Sequence, residues 1–285
     1  MAIRIYKKIT PGRRNASVNL FDEVTKKRPE KSLLQPKKKR GGRNHHGVIT
    51  CRSRGGGAKQ RYRVIDFGRN NKLDMVATVI GIEYDPNRSC NIALLEYEDK
   101  ERRYILAPVG LTDGDTVVSS TSASEPKTGN AMPIENIPPG LSIHNIELVA
   151  GKGGQLCRAA GAYARLTNRE AKWATLVFPS GEIRQISVKC RATIGQIGNT
   201  DHALIKLGKA GRNRHKGRRP HTRGVAMNHH DHPMGGGDGR SKGNRAPASK
   251  SGVQAKGGRT RISHKASSKR IIRRRKSKRY GQLTV

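Results

Sequence analysis

The positive charge of this chain is confined to its two ends, and this feature constrains the fold more than any other. Residues 1–63 hold 19 Lys and Arg against 3 Asp and Glu, and residues 209–285 hold 23 against 2, whereas residues 64–208 hold 16 of each. A charged segment with few apolar side chains cannot bury enough surface to offset the entropy of ordering its backbone. The sequence therefore predicts an electrically balanced globular body between two basic extensions.

The formal net charge of +37 indicates a polyanionic partner. A membrane is not expected, because no stretch approaches the roughly 18 consecutive apolar residues that span a bilayer. The first residues are basic and lack an apolar run of signal-peptide type, so we expect the protein to stay where it is made, in the cytoplasm. In that reducing compartment the four widely spaced cysteines should be reduced, mostly buried and not paired as zinc ligands. They are Cys51, Cys90, Cys157 and Cys190.

The basic segment at the C-terminal end predicts a chain that orders on its partner. Residues 209–285 contain ten large apolar side chains, too few for a core of their own. Glycines alternate with arginines and lysines over residues 208–224, and glycine lets a backbone approach phosphates closely. For residues 270–279, a solvated tail and an RNA contact both remain open.

Between the extensions, short runs rich in β-branched and aromatic residues predict strands. The first set fits a small barrel of the oligonucleotide-binding type, covering residues 61–125. Its predicted strands are 62–67, 75–84, 91–97, 102–107 and 116–119.

A second strand set follows residues 126–140, whose prolines should break the strand pattern and separate two domains. We expect an SH3-like barrel over residues 126–207, with Trp173 packed in its core. The extensions are then residues 1–60 and 208–285. The predicted strands of the second barrel are 142–148, 162–167, 172–178, 182–188, 191–194 and 203–206.

The strongest local motif is residues 41–63, where glycine is interleaved with Arg, Lys, Asn, Gln and His. Arginine pairs with phosphates and guanine edges in a bidentate manner, and the amides and imidazoles add hydrogen bonds. A phosphate-cradling NTPase loop is the enzymatic alternative, but the chain contains no Gly-Lys-Ser or Gly-Lys-Thr. The Gly-Lys-Gly-Gly sequence at 151–154 indicates a bulge or a backbone contact with RNA.

The second motif, residues 224–240, holds three histidines and an aspartate within four positions, 229–232. A metal site or a general base is the alternative to RNA contact, yet either needs groups fixed by a surrounding core, which this segment lacks. We therefore expect hydrogen bonding to RNA, with no metal, no cofactor and no catalytic residue.

These motifs give a set of candidate RNA-binding residues. Most of them should neutralise phosphates, and the barrels should fix the positions of these side chains along the RNA. The set is Arg43, Asn44, Arg52, Arg54, Lys59, Arg61, Arg63, Arg69, Arg88, Lys152, Arg212, Arg214, Lys216, Arg218, Arg219, Arg223, Asn228, His232 and Arg240.

The chain resembles the universal second protein of the large ribosomal subunit, the L-two family, in its bacterial or organellar form. The resemblance covers nearly the whole chain, and its blocks are 31–34, 41–63, 62–67, 83–88, 103–108, 190–195, 208–212 and 224–240. It implies an oligonucleotide-binding-type barrel followed by an SH3-like barrel, with both ends extended into large-subunit ribosomal RNA. Neighbouring ribosomal proteins and the small subunit are further implied partners.

The resemblance also implies a C-terminal extension near the peptidyl transferase region, where His232 matches the first histidine of the family's Asp-His-Pro-His-Gly-Gly-Gly motif. Met234 replaces the second histidine of that motif, which argues against a mechanism that needs both. His229 and His230 also depart from the family pattern, as do His215 and Lys216. From charge alone, a nucleoid-type DNA-compacting protein remains the alternative, and a competition between duplex DNA and structured RNA separates the two.

Overall fold

The fold is described from a computed structural model, which describes residues 3–239, 246–255, 261–262, 264–277 and 281–282. The predicted mainly β fold is confirmed: strands are numerous, and the helices are short. The assignment of the two β units to the oligonucleotide-binding and SH3-like types stays a prediction.

Three short strands, β1 to β3, lie in the N-terminal extension, and β4 begins directly after it at residue 61; the four form two separate pairs. The strand predicted over residues 62–67 is thus only β4, and it pairs with the extension rather than with the first sheet of the body. β1 pairs with β2, and β3 pairs with β4, all antiparallel. A single helical turn, α1, lies between β1 and β2 and begins with the proline that suits a first helical position. The bounds are β1 (Ile3–Ile5), α1 (Pro11–Arg14), β2 (Ser17–Asn19), β3 (Leu34–Pro36) and β4 (Arg61–Arg63).

The first unit of the body is a four-stranded antiparallel sheet in the order β7-β6-β5-β8. Both faces of β6 are buried: Ile92 and Leu94 pack in one apolar cluster, Ala93 and Leu95 in another. Successive strand residues face opposite sides, so this continuous apolar run fits a doubly covered sheet. The bounds are β5 (Val76–Glu83), β6 (Ile92–Tyr97), β7 (Arg102–Leu106) and β8 (Thr116–Val118).

The second unit is a seven-stranded sheet in the order β15-β13-β12-β11-β10-β14-β9. Its core contains Ile143, Leu166, Leu176 and Ile186, all nearly inaccessible to solvent. The bounds of its strands are β9 (Ala131–Pro133), β10 (Ser142–His144), β11 (Ala164–Arg169), β12 (Trp173–Val177), β13 (Ile183–Ser187), β14 (Arg191–Ile194) and β15 (Ile271–Arg273).

Trp173 corrects a sequence expectation. On β12 the buried residues are Ala174 and Leu176, so Trp173 lies on the opposite face and is only half-buried. The guanidinium of Arg270 lies 3.6 Å from the centre of its ring. The alternation of buried and less buried residues along the strand was predicted correctly, but the prediction assigned Trp173 to the wrong face.

Two further expectations about the body were wrong. The prolines of residues 126–140 were expected to break the strand pattern, but β9 lies within this segment and pairs with β14 of the second unit. Residues 203–206 form no strand, and a 3-10 turn covers Thr200–Leu204 instead.

The C-terminal extension begins with α2 (Ala210–His215) and continues with 3-10 turns at Gly224–Ala226 and Ala266–Arg270. After the second turn, β15 adds to the edge of the second sheet beside β13 and buries Ile271. A small pair, β16 (Lys276–Ser277) with β17 (Gly281–Gln282), follows. That the extension orders on RNA stays a prediction.

All four cysteines are free, as the sequence predicts, and three of them lie in the body. Burial raises the pKa of Cys90 and Cys190 to about 11 and that of Cys157 to about 12. Cys51, in the N-terminal extension, is exposed. Within the described residues, no helix is both long and apolar enough to span a bilayer.

Candidate nucleic-acid interface

The glycine-arginine motif at residues 41–51 folds back on itself through backbone hydrogen bonds. The carbonyl oxygen of Gly42 accepts from the amides of Thr50 and Cys51, both at 3.0 Å. Asn44 closes the turn, since its Oδ1 accepts from the amide of Val48 at 3.0 Å. The turn leaves Arg43 exposed, while the side-chain oxygen of Asn44 is already engaged.

Residues 53–58 of the N-terminal extension pair with residues 215–219 of the C-terminal extension. The amide of Gly55 donates to Gly217 O at 3.0 Å, and the amide of Ala58 donates to His215 O at 2.9 Å. A third bond joins the amide of Arg219 to Ser53 O at 3.0 Å. We call this backbone pairing the inter-extension clasp; it brings together two motifs that are far apart in the sequence.

Most of the predicted phosphate-binding side chains are exposed around this clasp or close to it in the sequence. None of these exposed side chains forms an ion pair with a carboxylate among the described residues. The exposed members of the predicted set in the two extensions and β4 are Arg43, Arg52, Arg54, Lys59, Arg61, Arg214, Lys216, Arg218, Arg219, Arg223 and Asn228.

Arg63 and Arg88 are held at a buried carboxylate. The Nε of Arg88 lies 2.7 Å from Asp85 Oδ2, and an Nη of Arg63 lies 3.9 Å from Asp85 Oδ1. Asp85 is completely inaccessible to solvent. These two arginines are therefore partly neutralised, and their first effect is to fix the loop between β5 and β6.

Arg69 corrects the predicted set, because its side chain is buried rather than presented to a partner. Asp66 Oδ1 accepts from the amides of Gly68 and Arg69, which turns the chain so that the guanidinium enters the body. There it donates to Gly129 O at 2.5 Å. Burial lowers the pKa of the Arg69 guanidinium. We remove Arg69 from the candidate set.

Arg212 also has a structural partner. Its guanidinium donates to Ser17 O at 2.9 Å and lies 5.6 Å from the ring centre of Tyr6. It therefore holds the start of α2 against the strands of the N-terminal extension. Any contact with RNA would use the part of this half-buried side chain that stays accessible.

At residues 151–154, backbone amides turn inward. Both carboxylate oxygens of Glu147 are used, one by the amide of Gly151 at 3.1 Å and the other by that of Gly153 at 2.8 Å. Because these two amides already donate to Glu147, they are not available to phosphates. The turn expected at these residues is therefore present, but its amides are engaged within the protein rather than free for the RNA contact that the sequence suggested. Lys152 itself is exposed.

The histidine motif forms a tight turn. The ring of His232 lies directly over Gly224, where a Cβ would be 2.3 Å from a ring carbon, so only glycine fits. His232 Nδ1 accepts from the amide of Met234 at 3.1 Å. The proton of the neutral ring is therefore on Nε2, which makes that atom a hydrogen-bond donor.

No three His, Cys, Asp or Glu side chains among the described residues are grouped so that they could hold a metal ion. Arg240, the last member of the predicted set, lies outside the described residues.

The structure adds cations that the predicted set omits. Arg158 is exposed, and its guanidinium lies 4.4 Å from the ring centre of Phe67 while donating to Gly154 O at 3.0 Å. Residues 37–40 are four consecutive exposed cations beside the clasp. The uninterrupted run at 37–40 was visible in the sequence, whereas nothing local marked Arg158.

Comparison with known proteins gives two domain families and a full-length relative. Residues 30–119 match the RNA-binding N-terminal domain of ribosomal proteins L2, and residues 127–252 match the C-terminal domain of the same proteins. The large ribosomal subunit protein uL2 of Rhodopirellula baltica is 58% identical over 286 residues, covering 100% of this chain and 99% of the relative.

Proposed function

Because this chain belongs to the ribosomal protein L2 family, we propose that it is a structural, RNA-binding constituent of the large ribosomal subunit. The full-length relative is named as a protein of that subunit, and the matched N-terminal domain is described as RNA-binding. The comparisons give no support to the alternative of a DNA-compacting protein. The protein is structural rather than a classical enzyme.

The observation that carries the proposal is a difference between the body and the extensions in whether cations are paired with carboxylates. In the body, several cations are paired with carboxylates, as Arg103 is with Asp66 and Lys72 is with Glu101. In the extensions, Lys26 is paired with Glu83, but the exposed candidates have no carboxylate partner among the described residues. A phosphate backbone supplies the missing negative charges, and such contacts position a protein on RNA.

The finer parts of the proposal rest on the resemblance to the family. The exposed candidates bind phosphates of large-subunit ribosomal RNA, and Arg240 is retained as a candidate outside the described residues. The second motif approaches the peptidyl transferase region, with His232 donating a hydrogen bond from Nε2. Neighbouring ribosomal proteins and the small subunit are the proposed protein-containing partners.

The test is a competition between RNA and DNA at matched salt. The full-length chain is titrated with large-subunit ribosomal RNA and with duplex DNA of equal length. We expect RNA to bind at least about a thousandfold more tightly than duplex DNA, the lower end of the range by which specific binding exceeds nonspecific binding. Equal affinity for the two would favour the DNA-compacting alternative and contradict the proposal.

The role of His232 has its own test in assembled ribosomes. His232→Ala removes the ring, whereas His232→Gln retains a side-chain donor. If the histidine donates to RNA, the alanine variant should perturb the peptidyl transferase region more than the glutamine variant. Normal assembly and unchanged peptide-bond rates in both variants would remove any role for His232.

A further inference from the structure

A cationic cleft lies beside the inter-extension clasp and is formed by both extensions. One wall is the basic run at 37–40, the floor is the glycine loop at 56–57, and the other wall is the end of α2 at 215–217. The cleft encloses about 320 Å³. This volume lies at the lower end of the range of about 300 to 1,000 Å³ typical of ligand sites.

The charge of this cleft is of one sign. Its charged or titratable lining side chains are Lys37, Lys38, Lys39, Arg40, His215 and Lys216, and none of the described lining residues is acidic. At least four cations from one extension thus face Lys216 from the other. Their mutual repulsion opposes closure until an anion enters.

Two lysines of the basic run are positioned by hydrogen bonds. The ammonium of Lys39 donates to Gly57 O at 2.5 Å, and that of Lys37 donates to Asn87 Oδ1 at 2.6 Å. An ammonium has three donors, so each retains two for an anion. Lys39 therefore connects the wall of the cleft directly to the clasp.

The clasp can close only because residue 57 is glycine. Its φ is +80°, and a Cβ there would lie 2.6 Å from Gly217 N and 2.9 Å from His215 O. Both obstacles are backbone atoms, so a side chain at 57 must push the extensions apart. Gly110, an exposed glycine of the body outside the cleft, has a φ of +81° but has no atom within 4 Å of its ideal Cβ position.

We propose that this cleft is a composite site for the phosphates of an RNA strand, complete only when the two extensions are joined by the clasp. The inference rests on the proposed function and deepens it. The lysine run and Lys216 bind the same stretch of RNA backbone, so RNA binding and clasp closure stabilise each other. A free phosphate offers the same chemistry but cannot reach both walls through linked groups.

The test compares Gly57→Ala with Gly110→Ala in the full-length chain. Both variants carry alanine at nearly the same positive φ, so backbone strain is matched, and only the first collides with the other extension. Affinity for large-subunit ribosomal RNA is measured at several salt concentrations. We expect Gly57→Ala to bind at least about tenfold more weakly at 0.1 M salt, with a salt slope smaller by about two, while Gly110→Ala, outside the cleft, stays near the wild type.

A double-mutant cycle then tests whether the two walls act together. Lys216→Gln alone should lower the salt slope by about one. Combined with Gly57→Ala, it should add little further loss, because the site is already open. Arg223→Gln removes an exposed candidate cation that does not line the cleft, and it should lower the salt slope by about one whether or not Gly57→Ala is present.

Three outcomes separate the possibilities. Failure of the wild type to bind ribosomal RNA would overturn the proposed function itself. Tight wild-type binding, with Gly57→Ala equal to Gly110→Ala or with Lys216→Gln fully additive, would overturn the composite site alone. Protection of the clasp from proteolysis by inorganic phosphate at the same phosphate concentration as RNA would show an anion site without a requirement for a strand, and would also overturn it.

Discussion

In the globular body, a buried arginine such as Arg69 is held by a backbone carbonyl inside a folded core, whereas Arg218 and Arg219 in the C-terminal extension are exposed beside a backbone clasp. We propose that the same residue type performs two tasks. In the body the guanidinium is part of the fold, and the protein supplies its hydrogen-bond acceptor. In the extension the proposed acceptor is a phosphate of RNA.

The burial of apolar side chains also differs between the body and the N-terminal extension. The body has three apolar clusters, with residues such as Leu94 and Leu176 fully buried. The N-terminal extension leaves large apolar residues such as Val48 and Ile49 more than half exposed. Stability should therefore depend on the body, and RNA affinity on the extensions.

The largest expected effect is on stability. Leu94→Ala removes a fully buried side chain of β6 and should lower the free energy of unfolding by about 2 to 5 kcal/mol. Ile49→Ala, which also removes three carbons but at an exposed position of the N-terminal extension, should change it by less than about 0.5 kcal/mol. Urea unfolding of both variants checks the contrast. Equal losses would show that the extension shares the core's role.

A second expected effect is pH-dependent and lies in the body. His144 is buried, and desolvation lowers its pKa from 6.5 to about 4. The unfolded chain therefore takes up a proton at this residue between about pH 6.5 and pH 4, while the folded chain does not. Stability is lost as the pH falls through this window, by up to about 3 kcal/mol through this residue alone.

His144→Asn isolates this contribution, since carboxylates titrate in both proteins. The difference in unfolding free energy between wild type and variant should change with pH mainly between 6.5 and 4. A difference that is constant over this range would contradict the burial of a neutral ring.

The third comparison uses arginines from the two regions. Arg69→Ala removes the hydrogen bond to Gly129 O and leaves a cavity, so it should cost about 1 to 3 kcal/mol of stability. Arg52→Ala, in the exposed motif, should leave stability within about 0.5 kcal/mol. The order should reverse for RNA: Arg52→Ala should reduce the salt slope by about one, and Arg69→Ala should leave it unchanged in the folded protein.

The smallest perturbation is a chemical probe that leaves the fold intact. Cys51 is exposed in the N-terminal extension, whereas burial raises the pKa of the three body thiols to about 11 or 12. Iodoacetamide at pH 8 should therefore alkylate one thiol rapidly and three only after unfolding, because the thiolate is the reactive form. Bound RNA should slow the fast reaction. Several fast thiols in the native protein would contradict the assigned burial.

The sequence could predict the parts that depend on local pattern. β14 has the predicted bounds, β6 begins one residue later than predicted, and β12 is one residue shorter at each end, because β-branched and apolar runs are bounded there by turn formers. β9 was missed because the prolines around it indicate a break, although Pro133 ends the strand where a missing amide is tolerated. β15 was missed because its apolar residues are flanked by arginines, so this charged stretch lacks the sequence pattern by which a strand is recognised.

The interface was predictable in composition but not in arrangement. Nothing near Arg69 in the sequence distinguishes a buried arginine from an exposed one, because the turn at Asp66 decides its direction. The pairing of Gly55 with Gly217 joins residues far apart in the chain, and no local pattern encodes such a partner. The basic run at 37–40 was visible, yet its role depends on that pairing.

The most direct test of the account is the salt dependence of binding to large-subunit ribosomal RNA for two fourfold variants. One replaces Arg52, Arg54, Arg218 and Arg219 with Gln, and the other replaces the exposed body residues Lys100, Arg165, Lys172 and Lys189. With about ten phosphate contacts, the wild type should show a slope near −9, and the extension variant a slope shallower by about three to four. The body variant should remain close to the wild type. A nearly flat wild-type slope, or an equal change in both variants, would contradict the division between a folded body and RNA-binding extensions.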